Sequence, residues 1–436
     1  MPLASSRSAS KTIRLDQQNI WFRYSAFAFQ MGLVFVTFEE VRPFGVMLSD
    51  YCFFLSLLFL PKSRLFKSTG SGVLLAVSLI LCGAILSLHD SSVTAAADSL
   101  ARLLVLFGLI APLALSHSKD IYKTLFFLLG GIFLNCVVTV LQASVFPGIV
   151  DSLSINPPQP DVAFAGRFQG LTEFPVTLGL SAALGVLLGI GLFSIEKRLL
   201  VRWGLGIAIV VCSIAALLSG SRTFLASMLP GVIVFVILQK RRHRGVIYAI
   251  AMLTVLWSSV TYLAPGVVSQ YSGRVDSVGL VDYARLASAA QAAIEISEKP
   301  VLGWGVDHFD EGGVIVIPET GEIAGAHNTF LRYWYAAGLL GAAGFLTLFF
   351  VPARKMLLLL NRKVAARSGD AMRLILACYV FFFIVTNLGP YLYNRYIYVP
   401  LFVFGGFAAH KLDPIKVRKV APATVLPVTA QHNSTA

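Results

Sequence analysis

Long apolar stretches, some broken by a single polar residue, recur from one end of the chain to the other, with short polar and basic segments between them. Uncharged apolar runs of about 18 residues or more are uncommon in soluble cores and match the thickness of a bilayer's hydrocarbon. They predict spans at roughly 23–38, 45–61, 71–88, 98–116, 122–146, 172–194, 203–219, 222–239, 245–264, 329–352, 372–390 and 395–410. The period-two alternation of barrel strands is absent. Backbone polar groups in hydrocarbon must find partners within their own segment, so each span is expected to be an α-helix. The expected fold is therefore all-α, a polytopic membrane protein of about twelve transmembrane helices.

Composition agrees: 56% of the residues are apolar, 13% are charged and the mean hydropathy is +0.76. Charge placement then sets the orientation, because Lys and Arg stay preferentially on the cytoplasmic side. With both ends inside, 26 of the 35 Lys and Arg fall on cytoplasmic segments. The organisation read from this is a cytoplasmic tail over 1–22, helices one to nine over 23–264 and an external loop over 265–328. Helices ten to twelve follow over 329–410, then a disordered cytoplasmic tail over 411–436. The net charge of +13 thus reflects topology and attraction to anionic lipid; no basic domain is present that would take nucleic acid. All five cysteines (Cys52, Cys82, Cys136, Cys212 and Cys378) fall within spans, without disulfide or metal-site spacing, and are read as packing residues.

The 265–328 loop is the one extramembrane segment long enough to carry a site. Within it, Asp282 to Glu298 is rich in helix formers, starts on a capping aspartate and is followed by Pro300, which predicts a helix over the bundle mouth. The glycines of Gly303-Trp304-Gly305 give backbone freedom that could bring main-chain amides to a ligand. Arg222, in the short turn Ser219-Gly-Ser-Arg-Thr223, stands near lipid, where a guanidinium is costly unless partnered or functional. Its plainer reading is an interfacial arginine snorkelling to headgroups. Arg167, Arg274 and Arg285 each have a plainer reading as solvated surface charge. Taken together, several arginines around a cavity make a multi-donor cationic cage suited to diphosphate oxygens. His327, where the loop re-enters the membrane, could accept a proton near neutral pH, against the plainer reading of a structural histidine. No metal-binding spacing appears.

Four blocks resemble the O-antigen ligase and polysaccharide polymerase family of bacterial envelope glycosyltransferases. One is Ala284-Arg285 followed by a helix, Lys299-Pro-Val-Leu-Gly-Trp-Gly305 and Phe309, and the second is Ala326-His327-Asn328-Thr-Phe-Leu331 leading into Ala337-Gly-Leu-Leu-Gly341. The third is Ser221-Arg222, and a looser fourth is RFQGLTEFPVTLG over Arg167 to Gly179, where Val176 stands in place of the family's asparagine. The blocks run from about Arg167 to Gly341, whereas the first five spans match in hydropathy alone.

What the resemblance implies is a glycosyltransferase C-like bundle in the bacterial inner membrane, its active site facing the periplasm. The enzyme would be inverting, independent of metals and without a cofactor. The donor would be an undecaprenyl-diphosphate-linked oligo- or polysaccharide, and the acceptor a sugar hydroxyl of lipid A core (a ligase) or of a growing lipid-linked polysaccharide (a polymerase). Arg222 and Arg285, with Arg274 and Arg167, would hold the diphosphate, and His327 would be the catalytic base. Asn328, Trp304 and Tyr333 are the expected sugar or lipid contacts. A transporter or flippase of lipid-linked sugars is the alternative, although the halves show no internal repeat, charged residues do not lie deep in several spans, and a single large loop stands on one side only.

Overall fold

The computed structural model describes residues 4–61, 71–90, 93–146, 149, 167–221, 223–239, 283–309, 311–316, 323–361 and 366–420. Its elements are α1 (Ala4–Phe35), α2 (Leu48–Phe59), α3 (Ser71–Leu86), α4 (Val93–Leu103), a π-helical stretch (Leu104–Ile110), α5 (Ala111–His117), α6 (Ile121–Ser144) and α7 (Pro175–Ile195). There follow α8 (Leu199–Leu218), α9 (Thr223–Leu238), α10 (Tyr283–Glu298), β1 (Ile315–Val316), β2 (Ile323–Ala324), α11 (Thr329–Leu360), α12 (Ala366–Leu388) and α13 (Arg395–Val420). The two strands form a two-residue antiparallel ladder, Ile315 opposite Ala324 and Val316 opposite Ile323. All the rest of the described regular structure is helical, and the protein is an all-helical, multi-pass membrane protein.

Among the described residues seven helices are long and apolar enough to cross a membrane, with Leu48–Phe59 and Thr223–Leu238 as shorter apolar helices. The predicted spans at 122–146 and 172–194 coincide closely with α6 and α7, and the one at 245–264 lies outside the described residues. Three boundaries depart from expectation. Helix α1 already starts at Ala4, inside the segment read as a polar tail, and α13 runs on to Val420, ten residues past the expected end of the last span. Helix α2 is shortened at its start by the Pro43–Gly45 turn, where Phe44 has a positive φ of 54°.

Small residues set how closely the helices approach. A Cβ on Gly83 of α3 would lie 2.6 Å from the Ala337 oxygen of α11, and one on Gly131 of α6 would lie 2.1 Å from the Val34 oxygen of α1. Without an apolar driving force between helices in lipid, such close backbone contact supplies the packing attraction. Helices α7 and α12 are the most enclosed of the seven, and α8 the least. Helix α7, with sixteen buried residues between Pro175 and Leu192, lies in the middle of the bundle.

The candidate functional site

One end of the bundle gathers the turn after α1, the RFQGLTE segment before α7, the α8–α9 turn, the described part of the large loop, the start of α11 and the α12–α13 turn. Asn135, fully buried in α6, joins the first two of these. Its Oδ1 accepts from the Leu171 amide at 2.8 Å, while its Nδ2 donates to the Thr37 carbonyl at 3.2 Å. Gly170, at φ 59°, is required there, since a Cβ would fall 2.4 Å from Thr139 Oγ1 and 2.6 Å from Asn135 Oδ1.

Arg167 leans on the α8–α9 turn. Its Nε donates to the Ser219 carbonyl at 2.8 Å, and the Phe168 amide donates to the Leu218 carbonyl at 3.1 Å. The structure thus brings Arg167 to the Ser219-Gly-Ser221 turn that leads into Arg222, although Arg222 itself and Arg274 lie outside the described residues. Arg285, half-buried on α10, lies within electrostatic reach of Tyr391 in the α12–α13 turn. Burial pushes the Tyr391 phenol well above its ordinary range, and the Arg285 charge acts in the opposite sense.

His327 stands at the entrance to α11. Its Nδ1 is 2.8 Å from the Gly325 carbonyl oxygen. A carbonyl can only accept, so Nδ1 carries the proton of the neutral imidazole and Nε2 carries the lone pair. Asn328 caps α11, its Oδ1 accepting from the Leu331 amide at 3.1 Å, and its Nδ2 donates to Asn387 Oδ1 of α12 at 3.2 Å. Thr329 Oγ1 donates to the Gly389 carbonyl at 2.7 Å and accepts from the Tyr391 amide at 2.9 Å. Asn328 and Thr329, which follow His327, are therefore bolted to the end of α12 and the α12–α13 turn, each half of the Asn328 amide making one positioning hydrogen bond.

Tyr333, expected to offer a face to sugar or lipid, is a core residue instead. It is 0% exposed, its hydroxyl donates to the Leu392 carbonyl at 2.9 Å and its ring stacks on Phe345. Trp304 remains half-buried, stacked on Tyr335 with the Lys299 ammonium 4.4 Å from its ring centre, and its Nε1 donates to the Glu295 carbonyl at 3.0 Å. The glycines around it also act differently from expectation. Helix α11 breaks at Gly338 (φ 63°), which frees carbonyls just above the break, and the Trp304 and Gly305 amides bind those of Tyr335 and Ala336 at 2.8 and 3.1 Å. Those two amides serve the helix, not a ligand.

Local pattern did not single out four further residues. Arg332 is buried, donating from Nε to the Ala326 carbonyl at 2.7 Å. Arg395 and Asp50 form a two-pronged ion pair at 2.8 and 2.7 Å between the first turns of α13 and α2. Beside that pair, an apolar cavity of about 300 Å³ runs between α2 and the π-helical stretch, lined by Phe53, Phe54, Leu57, Val105 and Leu109 among others. Glu39, in the turn after α1, is 2% exposed and accepts from the Glu173 amide at 3.3 Å and from Asn394 Nδ2 at 3.2 Å. Burial, and next the charge of Glu173, push its carboxyl up to about 7. The signal that could have found it is an acidic pair, Glu39-Glu40, directly after an apolar span.

Set beside known protein families, residues 207–346 match the family model described as O-antigen ligase. No curated protein matches the chain. The matched stretch, less than half of the chain, takes in the α8–α9 turn, α10, the Gly303–Gly305 segment and His327, whereas Glu39, Asn135, Arg167 and the α12–α13 turn lie outside it. Through residues 207–346, then, this multi-pass helical membrane protein is similar to the O-antigen ligase family.

Proposed function

We propose that the protein transfers a glycan from an undecaprenyl-diphosphate carrier to a sugar hydroxyl, on lipid A core or on a growing lipid-linked polysaccharide, at the periplasmic face of the bacterial inner membrane. The observation that carries this reading is the state of His327, whose Nδ1–H is committed to the Gly325 carbonyl inside the family-matched stretch. Its Nε2 is then the basic atom, fixed at the head of α11. In the reaction the acceptor oxygen attacks the anomeric carbon opposite the diphosphate and gives its proton to Nε2. The bond to the diphosphate breaks, and the electron pair leaves on the diphosphate oxygen. Arg285 and Arg222, with Arg167 and Arg274, supply guanidinium donors to that growing negative charge, the kind of preorganised stabilisation that dominates such reactions. These cations are permanent, so no metal is required and EDTA is expected to leave turnover unchanged. The apolar cavity beside the Asp50–Arg395 pair, at the same end of the bundle, would accept part of the isoprenoid tail while the headgroup stays in the site.

The test is to incubate the purified protein in nanodiscs with a short undecaprenyl-diphosphate oligosaccharide and either lipid A core or more donor, and to weigh the lipid products. Glycosylated lipid A core identifies a ligase, and a ladder of lengthened donors a polymerase. Intact donor crossing the bilayer with no undecaprenyl diphosphate released would overturn the transferase reading in favour of a transporter.

A further inference from the structure

Glu39 lies outside the family-matched residues and outside the set of groups given a role above, yet it is where three external segments meet. Its own turn holds the RFQGLTE segment at several points. The Glu40 amide donates to the Leu171 carbonyl at 3.0 Å, the Glu39 Oε2 accepts from the Glu173 amide, and Arg42 Nη2 pairs with Glu173 Oε2 at 3.3 Å. The other carboxylate oxygen takes Asn394 from the α12–α13 turn. Three residues back in that turn is Tyr391, whose amide is held by Thr329, two residues from His327, and whose phenol lies within reach of the Arg285 charge. The carboxylate therefore connects the segment that begins with Arg167 to the turn that supports His327 and faces Arg285.

We propose that Glu39 is a positioning residue of the transfer site, whose ionised carboxylate clamps the RFQGLTE segment to the α12–α13 turn and so sets Arg167 and Arg285 relative to His327. The inference rests on the transferase reading. Both groups that bind the carboxylate are N–H donors, an arrangement that suits the anion, because a protonated carboxyl turns one oxygen into a donor with a donor facing it. The charged and titratable groups around it are Arg42 on its own turn, Glu173 on the clamped segment, and Tyr391 and Tyr396 from the α12–α13 turn and α13. With its proton affinity raised to about 7, the carboxyl changes state inside the range where the enzyme can be assayed.

The experiment compares full-length wild type with Glu39→Gln in nanodiscs, following undecaprenyl diphosphate released at saturating donor and acceptor at pH 6 and pH 8. Glutamine copies the protonated carboxyl, so the wild-type to variant ratio in kcat should be about two at pH 6 and reach about tenfold at pH 8, the latter equivalent to about 1.4 kcal/mol in the barrier. The protonation of His327 is common to both proteins and cancels in the ratio. A ratio near one at both pH values, or the same loss at both, overturns the clamp. The second variant, Asn394→Leu, removes one of the two donors and should show the same pH-dependent gap at smaller size, which keeps the test decisive if Glu39→Gln does not fold. A wild type that releases no undecaprenyl diphosphate at all would instead bring down the transferase reading, not the clamp.

Discussion

Two histidines sit at opposite ends of the bundle in different surroundings, and under the proposed function only one of them, His327, has a chemical role. His117, at the end of α5, is buried between the rings of Phe22 and Phe29, stacked at 5.1 and 5.0 Å, with its Nε2 3.0 Å from Ser25 Oγ and 3.5 Å from Ser56 Oγ. The two serines exchange hydrogen bonds with each other's helices, so imidazole and hydroxyls close a polar knot between α1, α2 and α5. His327 is half-buried, with Nδ1 bound to a main-chain carbonyl of its own loop, at the start of a helix tied to the α12–α13 turn. A buried polar group with every partner inside the protein specifies packing. In the proposed reaction His327, with its proton on Nδ1, would take the acceptor's proton on Nε2.

The comparison breaks most sharply on substitution. His327→Ala should lower kcat by about 10²- to 10⁴-fold with donor KM nearly constant, whereas His117→Ala should keep turnover in the folded fraction. Equal loss of kcat from both would end the distinction. Arg285→Ala should follow, with a loss of about 10²- to 10³-fold, and Arg285→Lys should recover only part of it because a single ammonium cannot replace a planar fork. Product release measured at saturating donor reads both. The stability side reverses the order: His117→Ala opens a void and leaves the Ser25 and Ser56 hydroxyls short of a partner, at a cost of about 2–3 kcal/mol, visible as a lower melting temperature in micelles. His327→Ala should shift that temperature far less.

The smallest effect is a pH dependence confined to the site end. Glu39 in the folded protein has its proton affinity raised from 4.5 to about 7, so the folded chain holds that proton more firmly than the unfolded chain does. The resulting stabilisation is complete below about 4.5 and is lost as pH rises through about 7. Between pH 5 and pH 8 the melting temperature should fall more in wild type than in Glu39→Gln. Parallel curves would show that the buried carboxyl has no such preference.

Much of the fold was legible because span length and apolar content are local properties. Helix α6 and α7 fall where hydropathy puts them, and the loop helix starts one residue from its expected capping aspartate. The end of α1 toward the tail was not legible, because a polar helix outside lipid leaves no hydropathy signal. At the candidate site, motif spacing points to His327 and the arginines as candidates, but it could not tell the buried Tyr333 from the half-buried Trp304. Both are aromatic and next to a motif, and what buries one is a carbonyl 59 residues away. Glu39 escaped for the same reason, since its partner Asn394 is 355 positions distant. Pairings of that range are settled by topology, and no window along the chain contains both members.

The break in α11 at Gly338 carries a mechanical consequence. A Cβ there would lie 2.1 Å from the Val301 oxygen, so the loop is pressed into the break while its two amides cross-brace the turn above it. The result is a splinted joint. The Val301 carbonyl accepts from the Leu339 amide below the break while the Trp304 and Gly305 amides bind carbonyls above it, so the loop spans the break and holds the two parts of α11 at a fixed angle. Because Asn328, Thr329 and Tyr333 also tie the top of α11 to the end of α12 and the turn after it, the loop, the helix tip and that turn form one braced unit around His327.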